Sequence, residues 1–219
     1  MTNAFQAHVA AARNGFAAPR AHGYAAAMAV RSLFPTLLYE AEFGDAALLG
    51  ELSHSIRVLA RDDGAGKGWS REKNYAGYTS YASLNDLPRR DPIFADLAKL
   101  LARHAVQFAK AANFNLDRRP RLDSLWVNLL KAGGLHGGHI HPHAIISGTF
   151  YVEASAGCGA IRFEDPRLPM MMAAPPREDT FVAVQPRPGM LLLWESWLRH
   201  EVLAGSGKGE RLSVSFNFA

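Results

Sequence analysis

The sequence predicts a mainly β domain with flanking helices. Eight short segments are either apolar or alternate between apolar and polar, as strands do, and two longer segments start on helix-capping residues. A chain of 219 residues with 48% hydrophobic content can bury one sizeable core. No internal repeat is present and no second domain is needed. The expected organisation is an extension over residues 1–32, flexible or helical, followed by a single domain over 33–219.

The first strand is expected near 33–40. Asp45 then offers an N-cap for a helix over about 45–61. A strand near 78–83 follows, and a second helix over about 92–112 carries Pro92 in its first turn, where a missing N–H is tolerated. Strands are expected next at 125–131, 145–153 and 160–164. The stretch 164–180, with its prolines and Met170, Met171 and Met172, reads as an exposed loop. Further strands are expected at 181–185, 190–194 and 211–218. Met190 to Trp194, after Pro188-Gly189, is an unbroken apolar run, as in a strand buried on both faces. Residues 211–218 alternate strictly: Arg211, Ser213, Ser215 and Asn217 share one face, and Leu212, Val214, Phe216 and Phe218 the other.

Four of the nine histidines, His136, His139, His141 and His143, fall within eight positions. In an extended segment His139 and His141 project to the same side and can offer two nitrogens to one ion. Neutral imidazole is the commonest metal ligand and suits iron, zinc, copper and nickel. The plainer alternatives are a solvated polar loop or a tract with loose metal affinity. His143 shares the parity of the pair, but Pro142 bends the chain there. His136 and His143 are therefore expected beside the site or at the surface. A Glu-Ser-Trp turn after the 190–194 strand delivers His200 at the start of another extended segment. Eleven residues later comes Arg211 with Ser213, and a guanidinium beside small polar groups can bind a carboxylate through two parallel hydrogen bonds. The ordinary alternative is a half-buried strand whose polar face meets water.

These segments together resemble the 2-oxoglutarate- and Fe(II)-dependent oxygenases of bacteria. The resemblance lies in Gly-His-Ile-His-Pro (138–142), Ile-Ser-Gly-Thr-Phe-Tyr-Val (146–152), Phe-Glu-Asp-Pro-Arg (163–167), Pro-Gly-Met-Leu-Leu-Leu-Trp-Glu-Ser-Trp-Leu-Arg-His (188–200) and Arg-Leu-Ser-Val-Ser-Phe-Asn (211–217). Weaker pieces upstream, Leu-Phe-Pro-Thr (33–36), Gly-Tyr-Thr-Ser (77–80) and Trp-Val-Asn (126–128), extend it to roughly residues 33–218. It implies a double-stranded β-helix, a jelly roll whose open end holds Fe(II). It also implies that His139, His141 and His200 hold the iron, and that Arg211 and Ser213 bind the far carboxylate of the cosubstrate 2-oxoglutarate. Asn128 is expected as a second cosubstrate contact. The implied reaction hydroxylates a C–H bond while 2-oxoglutarate loses CO2 and becomes succinate.

One position departs from the pattern. Such enzymes ordinarily present two histidines and a carboxylate, and here His141 stands where the carboxylate is expected. Asp165, Glu153 and Glu201 lack the two-residue spacing. Two other classes stay open: a cupin-like metal-dependent isomerase or dioxygenase without 2-oxoglutarate, and a non-catalytic relative that binds a ligand. Against the cupin-like reading, positions 145 and 146 are isoleucines where a cupin glutamate is expected, and Arg211 with Ser213 is left without a task. Tyr78, Thr79, Ser147, Tyr151 and Trp197 are candidates for the mouth of a substrate pocket, with ordinary β-sheet packing as the alternative.

The net charge of +4 and pI near 9.4 are a small basic excess. Arg118-Arg119-Pro-Arg121 and Arg89-Arg90 are not interleaved with aromatics, so a small-molecule or peptide substrate is expected rather than nucleic acid. A single cysteine, Cys158, excludes an intrachain disulfide and fits a reducing compartment. The first 32 residues, rich in alanine and without an acidic residue, are similar in composition to a transit peptide, but neither a signal-peptide cleavage pattern nor a spanning segment follows. A cytoplasmic protein is the expectation, and oligomeric state is not legible.

Overall fold

The computed structural model describes residues 31–167 and 180–219. Most of the expected 1–32 extension and the Met170–Met172 loop lie outside those residues. From Thr36 to Ala219 the chain forms one unit. Its elements in order are strand β1 (Leu38–Glu42), helices α1 (Ala46–Asp62) and α2 (Gly64–Glu72), β2 (Gly77–Thr79), helix α3 (Pro92–Ala111), and then β3 (Leu122–Leu130), β4 (His136–His139), β5 (Ile146–Ala154), β6 (Ile161–Glu164), β7 (Phe181–Val184), β8 (Met190–Glu195), β9 (His200–Val202) and β10 (Arg211–Phe218).

The strands form two antiparallel sheets, one of six in the order β1-β8-β5-β10-β3-β2 and one of four in the order β4-β9-β6-β7. This is the two-sheet jelly roll that the sequence implies. The alternation in β10 sorts the molecule into layers. Leu212, Val214, Phe216 and Phe218 join Ile146, Phe150, Val152, Leu191 and Leu193 in a core shared with Leu52 and Ile56 of α1 and Phe94, Leu97, Leu101 and Phe108 of α3. Each large side chain buried there contributes on the order of 1.5–3 kcal/mol. Gly148 belongs to this face because a Cβ would stand 2.5 Å from the Phe216 ring. On the opposite face, Tyr151, Met190, Leu192 and Trp194 meet Ile161, Phe163 and Leu198. That inner face carries the chemistry.

Both expected helices form, the first with its expected cap and the second with Pro92 in its first turn and a cap, Asp91, that was not expected. The Asp45 carboxylate accepts from the Leu48 N–H at 2.9 Å, and Asp91, just before Pro92, accepts from the Ile93 N–H at 3.0 Å. Four expectations need correction. The strand placed at 33–40 begins only at Leu38 and runs to Glu42. The one placed at 78–83 is Gly77–Thr79, because Ser80 turns the chain, its carbonyl accepting from the N–H groups of Ser83 and Leu84. Helix α2 was not expected, since its Gly64, Gly66 and Gly68 argue against a helix. Asp63 caps it, accepting from the Gly66 N–H at 3.0 Å, and a Cβ on Gly66 would come within 2.3 Å of the same carboxylate. Finally, β4 and β9 add two strands to the eight expected, and they carry the histidines.

Candidate metal and cosubstrate site

Pairing of β4 with β9 sets His139 directly opposite His200. His141 lies two residues beyond, where its backbone N–H donates to the Ser196 carbonyl at 3.0 Å and fastens the segment to the turn after β8. One nitrogen from each of the three rings lies within 4.8 Å of the others. Ring centroids are 4.4 Å apart for His139 and His200, 5.0 Å for His139 and His141, and 5.1 Å for His141 and His200.

Each ring has its Nδ1 engaged on an acceptor. His139 Nδ1 lies 2.8 Å from the Gly137 carbonyl, His200 Nδ1 2.9 Å from the Leu198 carbonyl, and His141 Nδ1 2.7 Å from Asn217 Oδ1. A carbonyl can only accept, so Nδ1 carries the proton and Nε2 keeps its lone pair. Burial lowers the pKa of all three rings, with neighbouring imidazoles adding to the effect for His141 and His200, which fall to about 4 and about 3. The three side chains are neutral donors at pH 7. His141 Nε2 is buried without a hydrogen-bond partner, which a metal ligand in this position would relieve. The donor set therefore fits a divalent metal, with the Nδ1–H contacts orienting each ring.

No carboxylate joins this cluster among the described residues. Glu153 instead accepts from Ser53 and Arg57, and Glu201 pairs with Arg162. Asp165 is held by Arg167. His136 stacks on His139 at 4.5 Å, beside the trio, and His143 is exposed in a left-handed conformation (φ 73°).

A second group of unpaired atoms lies on the inner faces of β5, β8 and β10. Arg211 is 7% exposed, its Nε has no partner, and its Nη1 reaches only the Gly159 carbonyl at 3.4 Å. The guanidinium carbon sits 5.5 Å from the centre of the Tyr151 ring. Ser213 Oγ, Tyr151 Oη and Trp194 Nε1 are likewise buried and unpartnered. Ser213 is directly opposite Tyr151 in the β10–β5 register, and the Trp194 ring stands 4.6 Å from that of His200. Leaving a buried polar group unmet costs about 1–3 kcal/mol, more for a charge, so these four, one of them a guanidinium, are candidates to meet an anionic ligand.

The remaining expected residues divide. Asn128, opposite Ser213, accepts from Thr79 Oγ1 at 2.8 Å and donates to Ser215 Oγ at 3.0 Å, with one N–H still free by its valence. Ser147 Oγ donates to Asn217 Oδ1 at 2.8 Å and lies 2.8 Å from Ser196 Oγ, so it supports His141 through Asn217. Thr79 lines a cleft of about 300 Å³ against His139 and His141. Tyr78 does not line it: the pleat turns Tyr78 to the helix side, where its hydroxyl donates to Asp63 at 2.9 Å. Trp197 is half exposed, its indole N–H on Glu195, and it borders a separate groove on the far side of Ile140–Pro142. Tyr81, whose side chain the sequence also offers for the pocket mouth, lines the cleft, whereas sequence reasoning missed Asn217 as the partner of His141, the buried Trp194 N–H, and the other aromatics of the cleft wall, Trp69 and Trp126. The parity of Asn217 with Arg211 was the available signal for the first. Trp69 sits on the helix that its glycines concealed.

Residues 124–217, which span β3 to β10 and include every residue of the histidine cluster and the Arg211 group, match a family model described as "Putative 2OG-Fe(II) oxygenase". Over this segment the chain is similar to the 2OG-Fe(II) oxygenases. No curated protein matches the chain. Solved structures with the same fold include a Pseudomonas putida prolyl-4-hydroxylase (16% identity, 84% of this chain and 92% of that one, TM-score 0.59). They also include the α-ketoglutarate-dependent epimerase SnoN of nogalamycin biosynthesis (19%, 84% and 78%, TM-score 0.61) and HygX from Streptomyces hygroscopicus with nickel and 2-oxoglutarate bound (17%, 84% and 82%, TM-score 0.54). No helix among the described residues is long and apolar enough to cross a membrane.

Proposed function

We propose that this protein is a 2-oxoglutarate- and Fe(II)-dependent dioxygenase that hydroxylates a C–H bond, with His139, His141 and His200 holding the iron and Arg211 and Ser213 holding the far carboxylate of 2-oxoglutarate. The observation that carries the reading is the convergence of three neutral imidazoles beside the buried, unpartnered Arg211, Ser213 and Tyr151. The chemistry supplied by bound iron and 2-oxoglutarate is an oxygen-dependent oxidation in which 2-oxoglutarate becomes succinate and CO2. The chain's residues bind and orient. Three neutral ligands leave the full dipositive charge on the metal, which favours a dianionic chelator, and Arg211 supplies the matching cation at the chelator's other end. Tyr151 Oη and the free N–H of Asn128 are further cosubstrate contacts. Burial of this group keeps water from the guanidinium and strengthens its pairing.

Residues 33–219 act as one catalytic domain in this reading. The substrate is a small molecule or peptide rather than nucleic acid, because Arg90 is engaged by Asp86 and no aromatic interleaves the basic pairs. A cytoplasmic location accords with the single Cys158. The test is an anaerobic titration with Fe(II), then 2-oxoglutarate, following the visible metal-to-ligand charge-transfer band of a chelated 2-oxo acid. A band saturating at one equivalent is expected. Metal binding without the band would favour the cupin-like alternative, and no metal binding would leave a non-catalytic relative.

A further inference from the structure

The cleft over the histidines narrows the class of substrate. Trp69 and Tyr81 meet edge to face at 6.3 Å, Tyr81 and Trp126 at 5.2 Å, and Trp126 stacks on His141 at 5.9 Å, so a continuous aromatic wall runs from the rim to a candidate metal ligand. Among the described residues, no aspartate, glutamate, lysine or arginine lines the cleft. An ion seated there would lose water and find no countercharge, whereas a neutral ring would gain contact with faces and edges of the wall. A cation could gain from the π faces alone, but no carboxylate among the described residues lines the cleft to pair with it once its water is stripped.

We infer that the group presented for oxidation is an uncharged, ring-bearing moiety, aromatic or cyclic aliphatic, seated against the Trp69–Tyr81–Trp126 wall over His139 and His141. This deepens the oxygenase reading and rests on it. Tyr81 is 52% exposed, so it is a rim residue whose replacement leaves the core intact.

The test uses three probes that share a benzyl group and are similar in size, phenylacetamide, phenylacetate and 2-phenylethylammonium, titrated against the protein with and without Ni(II) and saturating 2-oxoglutarate, following tryptophan fluorescence. Phenylacetamide is expected to bind roughly tenfold or more tightly than either ion, the difference an unpaired charge imposes. Tyr81→Ala is expected to weaken it roughly fivefold, and Tyr81→Asp to shift preference toward the ammonium probe. Equal or tighter binding of an ion, failure of all three probes, or indifference to both Tyr81 variants would overturn the inference. Calorimetric titration of Ni(II) and 2-oxoglutarate on the same samples reports separately on the oxygenase reading: loss of those signals with probe binding intact would sink that reading and leave the cleft assignment standing.

Discussion

Replacing Asn217 with alanine is expected to weaken metal binding although Asn217 is not a candidate ligand. Its Oδ1 accepts from His141 Nδ1 at 2.7 Å and from Ser147 Oγ at 2.8 Å, while its Nδ2 donates to Ser124 Oγ at 3.2 Å. Those contacts fix both the tautomer and the plane of the His141 ring. Without the acceptor, the Nδ1 proton has no partner on the protein, the ring is free to turn, and the Nε2 lone pair is no longer aimed at the position shared with His139 and His200. Loss of such an outer contact typically lowers metal affinity 10- to 100-fold, or roughly 1.4–2.7 kcal/mol. Asn217→Asp keeps the acceptor and adds a negative charge that makes the imidazole more basic, so affinity should be retained or increased. The assay is an anaerobic competition titration of Co(II) against a chromophoric chelator, with circular dichroism to confirm folding. If Asn217→Ala, correctly folded, binds Co(II) within about twofold of the parent, the hydrogen bond is not positioning a ligand and the reasoning fails.

Arg211→Ala should weaken 2-oxoglutarate by a hundred- to a thousandfold, from the roughly 3–5 kcal/mol cost of breaking a buried charge pair, while leaving metal affinity unchanged; parallel calorimetric titrations of metal and cosubstrate would show whether the two separate. Tyr151→Phe removes a buried hydroxyl that has no partner, so the metal-free protein should be as stable as the parent or more so, while 2-oxoglutarate binds roughly fivefold more weakly, about 1 kcal/mol; a drop in thermal midpoint would contradict the unpartnered assignment. In the metal-free protein His141 and His200 stay neutral down to about 4 and about 3, whereas an unfolded histidine takes up its proton near 6.5. The unfolded state therefore binds more protons between those limits, and stability should fall as pH drops from about 6.5 toward 4. Denaturant melts across that window would reveal a flat profile if the rings were already protonated in the fold. Gly148→Ala should cost about 1–3 kcal/mol by crowding the Phe216 ring, read as a lower denaturation midpoint.

The elements legible in the sequence were those with a long period or a strong cap. Strand β10 announces itself by eight alternating residues, β8 by its apolar run, and α1 and α3 by Asp45 and by Pro92. What the sequence concealed is short or glycine-rich. Strand β4 is His-Gly-Gly-His, with no side chain at its centre to show a period, and β9 has three residues whose pairing is decided by a partner some 60 positions away. The histidines could thus be picked out by their spacing, and the extended segment starting at His200 with them, while β4 and its pairing with β9 could not. Tyr78 was misjudged for a related reason: in a three-residue strand the pleat alone decides which of Tyr78 and Thr79 faces inward, and periodicity over so few residues does not declare it. Asn217 and Trp194 were visible as residues, but their partners arise only from pairing across sheets.

The two halves of the site belong to different sheets. His139 and His200 sit on the four-stranded sheet, Arg211, Ser213 and Tyr151 on the six-stranded one, and His141, two residues beyond β4, is tethered to the six-stranded side by its backbone to Ser196 after β8 and by its ring to Asn217 of β10. The distance between metal and anion anchor is therefore a property of how far apart Phe163 and Trp194 hold the sheets, packed edge to face at 5.1 Å. Trimming Phe163 leaves every candidate ligand and anchor in place. It should nevertheless change the length of 2-oxo diacid the site prefers, so the inter-sheet core acts as the ruler by which this protein measures its cosubstrate.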